Sequence, residues 1–335
     1  MSDLTAFAAR LAEGPGLTGK GEIAQVVSAL GVGGGSDIAV GDDTAAIPNA
    51  SGGWDLFACE GMIEGFVAAM PWFAGWSGVM VNLSDVAAMG GRPVAVVNAL
   101  WSDSAAAADP VLQGMAAACA AYGAPMVGGH ANLHASGGNL AVAVLGRAER
   151  LLTSFDAAPG DALVMAVDLR GAYHDPHPFW DAASQAPHDR LRADLALLAE
   201  AAEAGLAHAA KDISQGGVIG TAAMFCECSQ VGLVIDLDLV PGPPLADEEA
   251  EARWLSAFPS FGYLLATPPA GADALIRRFT ERDIAAARIG AFDDSGALSI
   301  ARGGETACVR DLIADPLIGC APPVPPAPPV ETAHA

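Results

Sequence analysis

Apolar residues recur at three- and four-residue steps from Trp76 through Val79, Met80 and Leu83 to Val86, which predicts a helix over 74–90 with that face in the core. Asn82, Asp85 and Met89 form a second stripe about 130° round the same helix, so a polar partner is expected there. A further helix is expected over 110–122, with Gly123 as its C-cap. Strand-like runs lie at Ile38 to Val40, Trp54 to Cys59, Pro93 to Leu100, Pro125 to Val127 and Asn139 to Gly146. Two strands, a helix, a strand, a helix and two more strands make an α+β order, not a repeated βαβ.

The turn-forming run AAPGDAL at 157–163 leads into a new strand, LVMAVDL, and a domain boundary is placed just before it. The expected organisation is a glycine-rich arm (1–36), a first domain (37–155), a second domain (156–320) and an extended, disordered Pro-rich tail (321–335). In the second domain a helix is expected at 189–204, another after KDISQGG, and then a strand at 231–238. The Pro- and His-rich connection at 174–189 is long enough to suggest a lid or binding loop.

The chain is 335 residues long, 52% hydrophobic and 16% charged, which is globular and fits two domains. No apolar run reaches the roughly 18 residues of a membrane span, and the N-terminus lacks a basic start followed by an apolar stretch. A cytoplasmic protein is expected. Sixteen Lys and Arg against 39 Asp and Glu give a net charge of -23, which would repel a nucleic-acid backbone. An anionic ligand would therefore need a cation, backbone N–H groups or a few well-placed basic side chains. The six cysteines have no C-x-x-C spacing and read as reduced, mostly buried thiols.

Four acidic spots carry the candidate chemistry: VGDDT at 40–44, Glu60 and Glu64 in ACEGMIEG, Asn82 to Asp85, and Asp212 in KDISQGG. Singly, each has an ordinary explanation, Asp212 or Ser214 for instance as a cap of the helix starting near Gly216. Convergence would change that, because two carboxylates about 4 Å apart repel by roughly 1 kcal/mol in water and about 4 kcal/mol at an effective dielectric of 20. Oxygen ligands of this kind suit Mg²⁺ shared with nucleotide phosphates. GPGLTGKG at 14–21 satisfies G-x-x-x-x-G-K, yet Gly21 stands where a P-loop needs Ser or Thr and the preceding residues look helical. Lys20 remains a candidate for a phosphate and equally for a solvated side chain. In VGGHANLH, His130 and His134 lack the spacing of a zinc site on a strand, which leaves His130 as a polar contact.

The ordered set VGDDTAAI, ACEGMIEG, NLSDVAAMGGRP, VGGH and DISQGG resembles the ATP-dependent superfamily of aminoimidazole ribonucleotide (AIR) synthetase, also called PurM-like. Thiamine-monophosphate kinase, selenophosphate synthetase, a hydrogenase maturation protein and part of formylglycinamidine synthetase share it. The motifs run from about residue 38 to 241. The resemblance implies a two-domain α+β subunit, a first domain that builds a β-barrel across a homodimer, an α/β sandwich second domain, and ATP held through Mg²⁺ by acidic residues. Carried over by motif, Asp42, Asp43, Glu60, Asp85 and Asp212 would hold metal. Lys20, Gly33, Gly34, Gly35, Asn82, Gly128, Gly129, Asp212 and Ser214 would meet the nucleotide, and Asp43, Asp85 and His130 would serve the reaction. Glu60 stands where an Asp is usual, Gln215 replaces the second acid of DISDG, and no cysteine precedes Cys59 to match the selenophosphate synthetase nucleophile.

The leading expectation is an ATP- and Mg²⁺-dependent enzyme that phosphorylates or activates an oxygen of a small molecule, since phosphoryl transfer asks mainly for positioning and charge neutralisation. A kinase like that for thiamine monophosphate is one alternative. A nucleotide-binding subunit without catalysis is another, supported by Glu60 and Gln215. A dinucleotide enzyme using GVGGGS lacks the preceding strand and the third glycine step. A small-molecule substrate is expected, with neither nucleic acid nor membrane as partner.

Overall fold

The computed structural model describes residues 3–18, 20, 22–30 and 40–320. The strand expected at 38–40, the run Gly33 to Gly35 and the tail from 321 fall wholly or largely outside them. The segment expected as a glycine-rich arm carries helices α1 (Leu4–Ala12), α2 (Pro15–Thr18) and α3 (Glu22–Leu30). Phe7 and Leu11 of α1 are buried against the second domain, which explains why this amphipathic run is ordered.

The first sheet is made of β1 (Ala45–Pro48), β2 (Trp54–Met62), β3 (Arg92–Trp101), β4 (Met126–Asn132) and β5 (Asn139–Ala148), in the order β1-β2-β5-β3-β4. α4 (Glu64–Ala69) leads into α5 (Pro71–Ala88), which packs on β2, β5 and β3, while α6 (Ala105–Tyr122) packs on α5. β5 alternates between buried and half-buried positions, as expected of a sheet covered on one face. The other face exposes Phe57, Val97, Trp101 and Val127. Among the described residues of one chain this sheet is open, with β1 and β4 as its edges, and closes no barrel.

Helix α6 begins five residues before the sequence suggests. Ser104 caps it, its hydroxyl accepting from the Ala107 N–H at 3.2 Å, and Pro110 lies inside the helix instead of opening it. Gly123 ends it in the left-handed region at φ 75°, as expected.

The second sheet has seven strands: β6 (Ala162–Val167), β9 (Ala209–Asp212), β10 (Gly232–Asp236), β12 (Gly262–Thr267), β13 (Ala285–Asp293), β14 (Ala297–Arg302) and β15 (Glu305–Asp311). Their order is β15-β14-β10-β13-β6-β12-β9. ALVMAV of β6 and GYLLAT of β12 are buried throughout, because α7 (His188–Glu203) and α10 (Ala272–Thr280) cover one face and α8 (Gly217–Ser229) with α1 the other. A small sheet of β11 (Phe258–Pro259), β8 (Phe179–Asp181) and β7 (Ala172–Tyr173) organises the long 174–189 connection, and α9 (Glu248–Leu255) lies in the second half of the chain. The fold is therefore a mixed α+β pair of domains.

The domains meet where α5 of the first covers β9, the edge strand of the second. The Ser84 and Tyr263 hydroxyls bond across that junction at 2.9 Å, both buried. Every residue of α5 from Phe73 to Ala88 is buried, so the helix belongs to both cores. The two-stripe reading of 74–90 consequently understates its contacts. Its cavity-facing line is Phe73, Ser77, Met80, Val81 and Asp85, at steps of four, three, one and four residues. Met80 thus leaves the expected core stripe and Asn82 the expected polar one.

Candidate active site

A cavity of about 500 Å³ opens at this junction. It brings Asp42, Asp43, Glu60, Asp85 and Asp212 to one wall although they span 171 positions from residue 42 to 212. Asp42 and Asp43 lie in the turn before β1, Glu60 on β2, Asp85 on α5 and Asp212 at the end of β9. The turn bends at Gly41, whose φ is 124° and where a Cβ would lie 2.4 Å from the Cys320 side chain. The segment leading to Cys320 is held by the carboxylate of Glu227, which accepts the N–H groups of Leu317, Ile318 and Gly319 at 2.5 to 3.2 Å.

The Asp42 carboxylate accepts from the Ser154 hydroxyl and N–H at 2.5 and 2.9 Å. Asp43 ion-pairs with Lys211 and accepts from the Asp212 N–H at 3.1 Å. Lys211 is 4% exposed; burial opposes its charge, yet Asp43 and Asp42 hold its proton more tightly than usual. Burial is the chief cause that lifts the acids. It pushes Asp42 up to about 6, with Lys211 opposing and Asp43 adding. Asp212 is pushed up to about 8 by burial and by Asp43, against Lys211 and Lys20. Asp85 is raised well above the carboxylate range by burial and then by Asp212, Glu60 and Asp43, and Glu60 is raised by burial with Lys20 opposing.

This is an overcharged wall. Oδ2 of Asp85 and Oδ1 of Asn82 are buried without a hydrogen-bond partner, which is costly for polar oxygens. Among the described residues no group of three or more acidic, His or Cys side chains is placed to hold a metal ion by itself. The donors nevertheless suit a hard divalent cation that keeps part of its water and shares phosphate oxygens, and such a cation would remove the repulsion. The residues present therefore fit Mg²⁺.

Lys20, Ser214 and Gln215 also line the cavity. Neither Ser214 nor Asp212 caps α8, whose N-cap is Gly216 without a side-chain bond. Asn82 does not line it; its amide donates to the Gly78 carbonyl at 2.7 Å, one turn from Asp85. Gly128, Gly129 and His130 sit on β4, at the sheet edge and outside the cavity. A Cβ at Gly129 would lie 2.2 Å from Asn98 Oδ1, so the glycine answers to strand packing. His130 is exposed, with its ring 6.2 Å from Trp101. Glu64 is exposed on α4 and is no part of the wall.

Two features escaped the sequence reading. Lys211 was hidden in KDISQGG, although Lys20 and Lys211 are the only lysines of the chain and both line the cavity. The opposite end of the cavity is walled by Phe66, Phe73, Phe179 and Phe258, drawn from both domains. The six thiols are all free, but Cys59 and Cys308 are exposed and Cys119 half-buried, so only three of the six are buried.

Residues 41–148 match the family described as AIR synthase related protein, N-terminal domain, and residues 171–302 its C-terminal domain. A Synechocystis sp. protein is 42% identical over 289 residues, covering 86% of this chain and 88% of that one. The thiamine-monophosphate kinase of Methanospirillum hungatei is 32% identical over 184 residues, 52% of this chain and 60% of its own length. Among solved structures, AaThiL complexed with AMPPCP and TMP superposes with a TM-score of 0.63 at 21% identity, covering 85% of this chain and 93% of that chain. T. maritima PurL complexed with ATP gives 0.67 at 21% identity, over 86% of this chain and 47% of the larger PurL chain. At such identities the superpositions speak for the fold. No helix among the described residues is long and apolar enough to cross a membrane.

Proposed function

The chain belongs to the AIR synthase-related family, and from that premise we propose that it is a magnesium-dependent enzyme transferring the γ-phosphoryl group of ATP to an oxygen of a small molecule. The observation that carries this reading is the acid wall itself: five carboxylates and two lysines around one junction cavity, with an Asp85 oxygen left unpartnered. Natural relatives named as thiamine-monophosphate kinases and solved PurL and ThiL complexes with ATP, ADP or AMPPCP support the use of ATP.

Asp42, Asp43, Glu60, Asp85 and Asp212 would hold the ion, which when bound neutralises the triphosphate and polarises the transferred group. Lys211 fixes the orientation of Asp43 through a buried ion pair, and Lys20, which lines the cavity and acts on Glu60 and Asp212, is the cation available to phosphate. Ser214 and Gln215 present neutral hydrogen-bonding groups to the same space. His130 is left without a role in this reading. The exposed apolar face of the first sheet supports a homodimer in which a second copy covers Phe57, Val97 and Val127. Sedimentation velocity showing only monomer at micromolar concentration would dismiss that dimer.

Calorimetry with ATP in the presence and absence of Mg²⁺ tests the reading. Binding should require Mg²⁺ and weaken at least tenfold in Asp85→Asn, and ADP release should appear with a suitable acceptor, thiamine monophosphate being the first to try. Gln215 in the cavity, where the family pattern has an acid, favours a second reading, a nucleotide-binding subunit without turnover. Tight Mg²⁺-dependent ATP binding with no ADP release on any acceptor would select it.

A further inference from the structure

The cavity runs along α5 from Asp85 to Phe73, twelve residues and therefore about 18 Å of helix axis. Its two ends differ in kind. The Asp85 end is the acid wall; the Phe73 end is built from Phe66, Phe73, Phe179 and Phe258. Phe66 meets Phe73 edge-on at 6.0 Å between ring centres and Phe179 at 5.2 Å, and Phe179 meets Phe258 at 6.4 Å. These are the offset and edge-to-face arrangements that aromatic rings prefer.

The rings are braced by the connection whose length marked it in the sequence. His174 stacks on Phe73 with ring centres 3.9 Å apart and bonds to Asp181 at 3.0 Å. His177 stacks on Phe179 at 5.2 Å. Arg253 pins the loop, bonding to Asp175 at 2.6 Å and to the His177 carbonyl at 3.3 Å, with its guanidinium 3.9 Å over the Tyr173 ring. The wall is therefore fixed in shape before any ligand arrives, which lowers the entropy lost on binding.

Charge decides what it can accept. All sixteen Lys and Arg residues lie within the described segments, and of these only Lys20 and Lys211 line the cavity. Lys211 is committed to Asp43, and Lys20 acts on Glu60 and Asp212 at the acid end. An anionic group buried among the four phenylalanines would meet no lysine or arginine on the cavity lining there, only the His174 and His177 rings engaged in stacking behind Phe73 and Phe179, and would lose its hydration.

We propose that the phenylalanine end is the acceptor subsite, and that the acceptor is a molecule with an uncharged aromatic ring at that end and its reactive oxygen directed toward Asp85. This rests on the phosphoryl-transfer reading for the direction of the oxygen, while the ring subsite itself rests on the wall. It separates this chain from acceptors whose far end carries a phosphate or a carboxylate.

The test uses full-length protein and saturation-transfer NMR with three probes: benzyl alcohol, 4-(hydroxymethyl)benzoate and ribose 5-phosphate. Benzyl alcohol should bind, the carboxylate-bearing ring should bind at least tenfold more weakly, and ribose 5-phosphate should not compete. Phe66→Ala should weaken benzyl alcohol at least tenfold with Mg²⁺-dependent ATP affinity unchanged. Phe258→Leu, a milder change at a half-buried position, should weaken it several-fold and guards against misfolding of the first variant. No binding of benzyl alcohol, equal binding of the carboxylate, or unaltered affinity in both variants would overturn the proposal. Wild-type protein that takes benzyl alcohol but not Mg²⁺ and ATP would instead overturn the phosphoryl reading and leave the ring subsite standing.

Discussion

The acid end of the cavity and its phenylalanine end share one helix but obey opposite energetics. At the acid end, burial raises the carboxyl groups of Asp85 and Asp212, with Asp212 and Glu60 adding to the first and Asp43 to the second, so the folded state carries an electrostatic cost there. At the other end, Phe66 and Phe73 are buried in van der Waals contact and contribute to the core of the first domain. In the reading proposed above, the first region would hold a ligand because the folded protein alone is unsatisfied, and the second because a complementary surface is already formed. The difference teaches that loss of function and loss of stability should part company at one end and coincide at the other.

The largest expected effect probes the buried countercharge at the acid end. Lys211→Met leaves Asp43 and Asp42 buried without their cation and should destabilise the protein by about 3–5 kcal/mol in urea unfolding. A loss below about 1 kcal/mol would mean the pair is not the buried contact seen here. Next, Phe66→Ala removes a ring that is 7% exposed and should lower stability by about 3 kcal/mol in the same measurement. The smallest effect has the opposite sign and sharpens the contrast most. With chelator present, Asp85→Asn should raise stability by about 1–2 kcal/mol, because it removes a buried ionisable group whose charged form is opposed first by burial and then by Asp212, Glu60 and Asp43. With Mg²⁺ and ATP present the order should reverse, since ligand linkage stabilises only the wild type. A variant that is less stable than wild type under both conditions would break the comparison.

The acid end was legible in the sequence because its residues lie in short motifs whose ordered set resembles that of the AIR synthetase superfamily: GDD before a strand, Asp85 in NLSD, Asp212 in DISQGG. The elements bearing Asp85, β5 and α7 were legible through periodicity. The phenylalanine end was not. Its four rings lie far apart on α4, α5, β8 and β11, with no common motif, and each reads alone as an ordinary core residue. Only tertiary pairing of the two domains brings them together. Pro110 misled because a proline most often opens a helix, whereas here Ser104 had already capped it. Gly128, Gly129 and His130 were drawn toward the nucleotide by motif likeness, but β4 is an edge strand whose glycine serves the close approach of Asn98. Alternation of buried positions could show that one face of the first sheet is covered; it could not show what the bare face meets.

Helix α5 carries Phe73 near its start and Asp85 near its end, and it is clamped on all sides by two cores. It is thus a molecular ruler. The span between the two ends of the pocket is set by a count of backbone turns and is insensitive to drift in the surrounding loops. In the reading proposed above, a guest that spans both marks would gain both sets of contacts and a shorter one would forfeit one of them. A preference for sufficient length would then follow from the same rod that joins the domains.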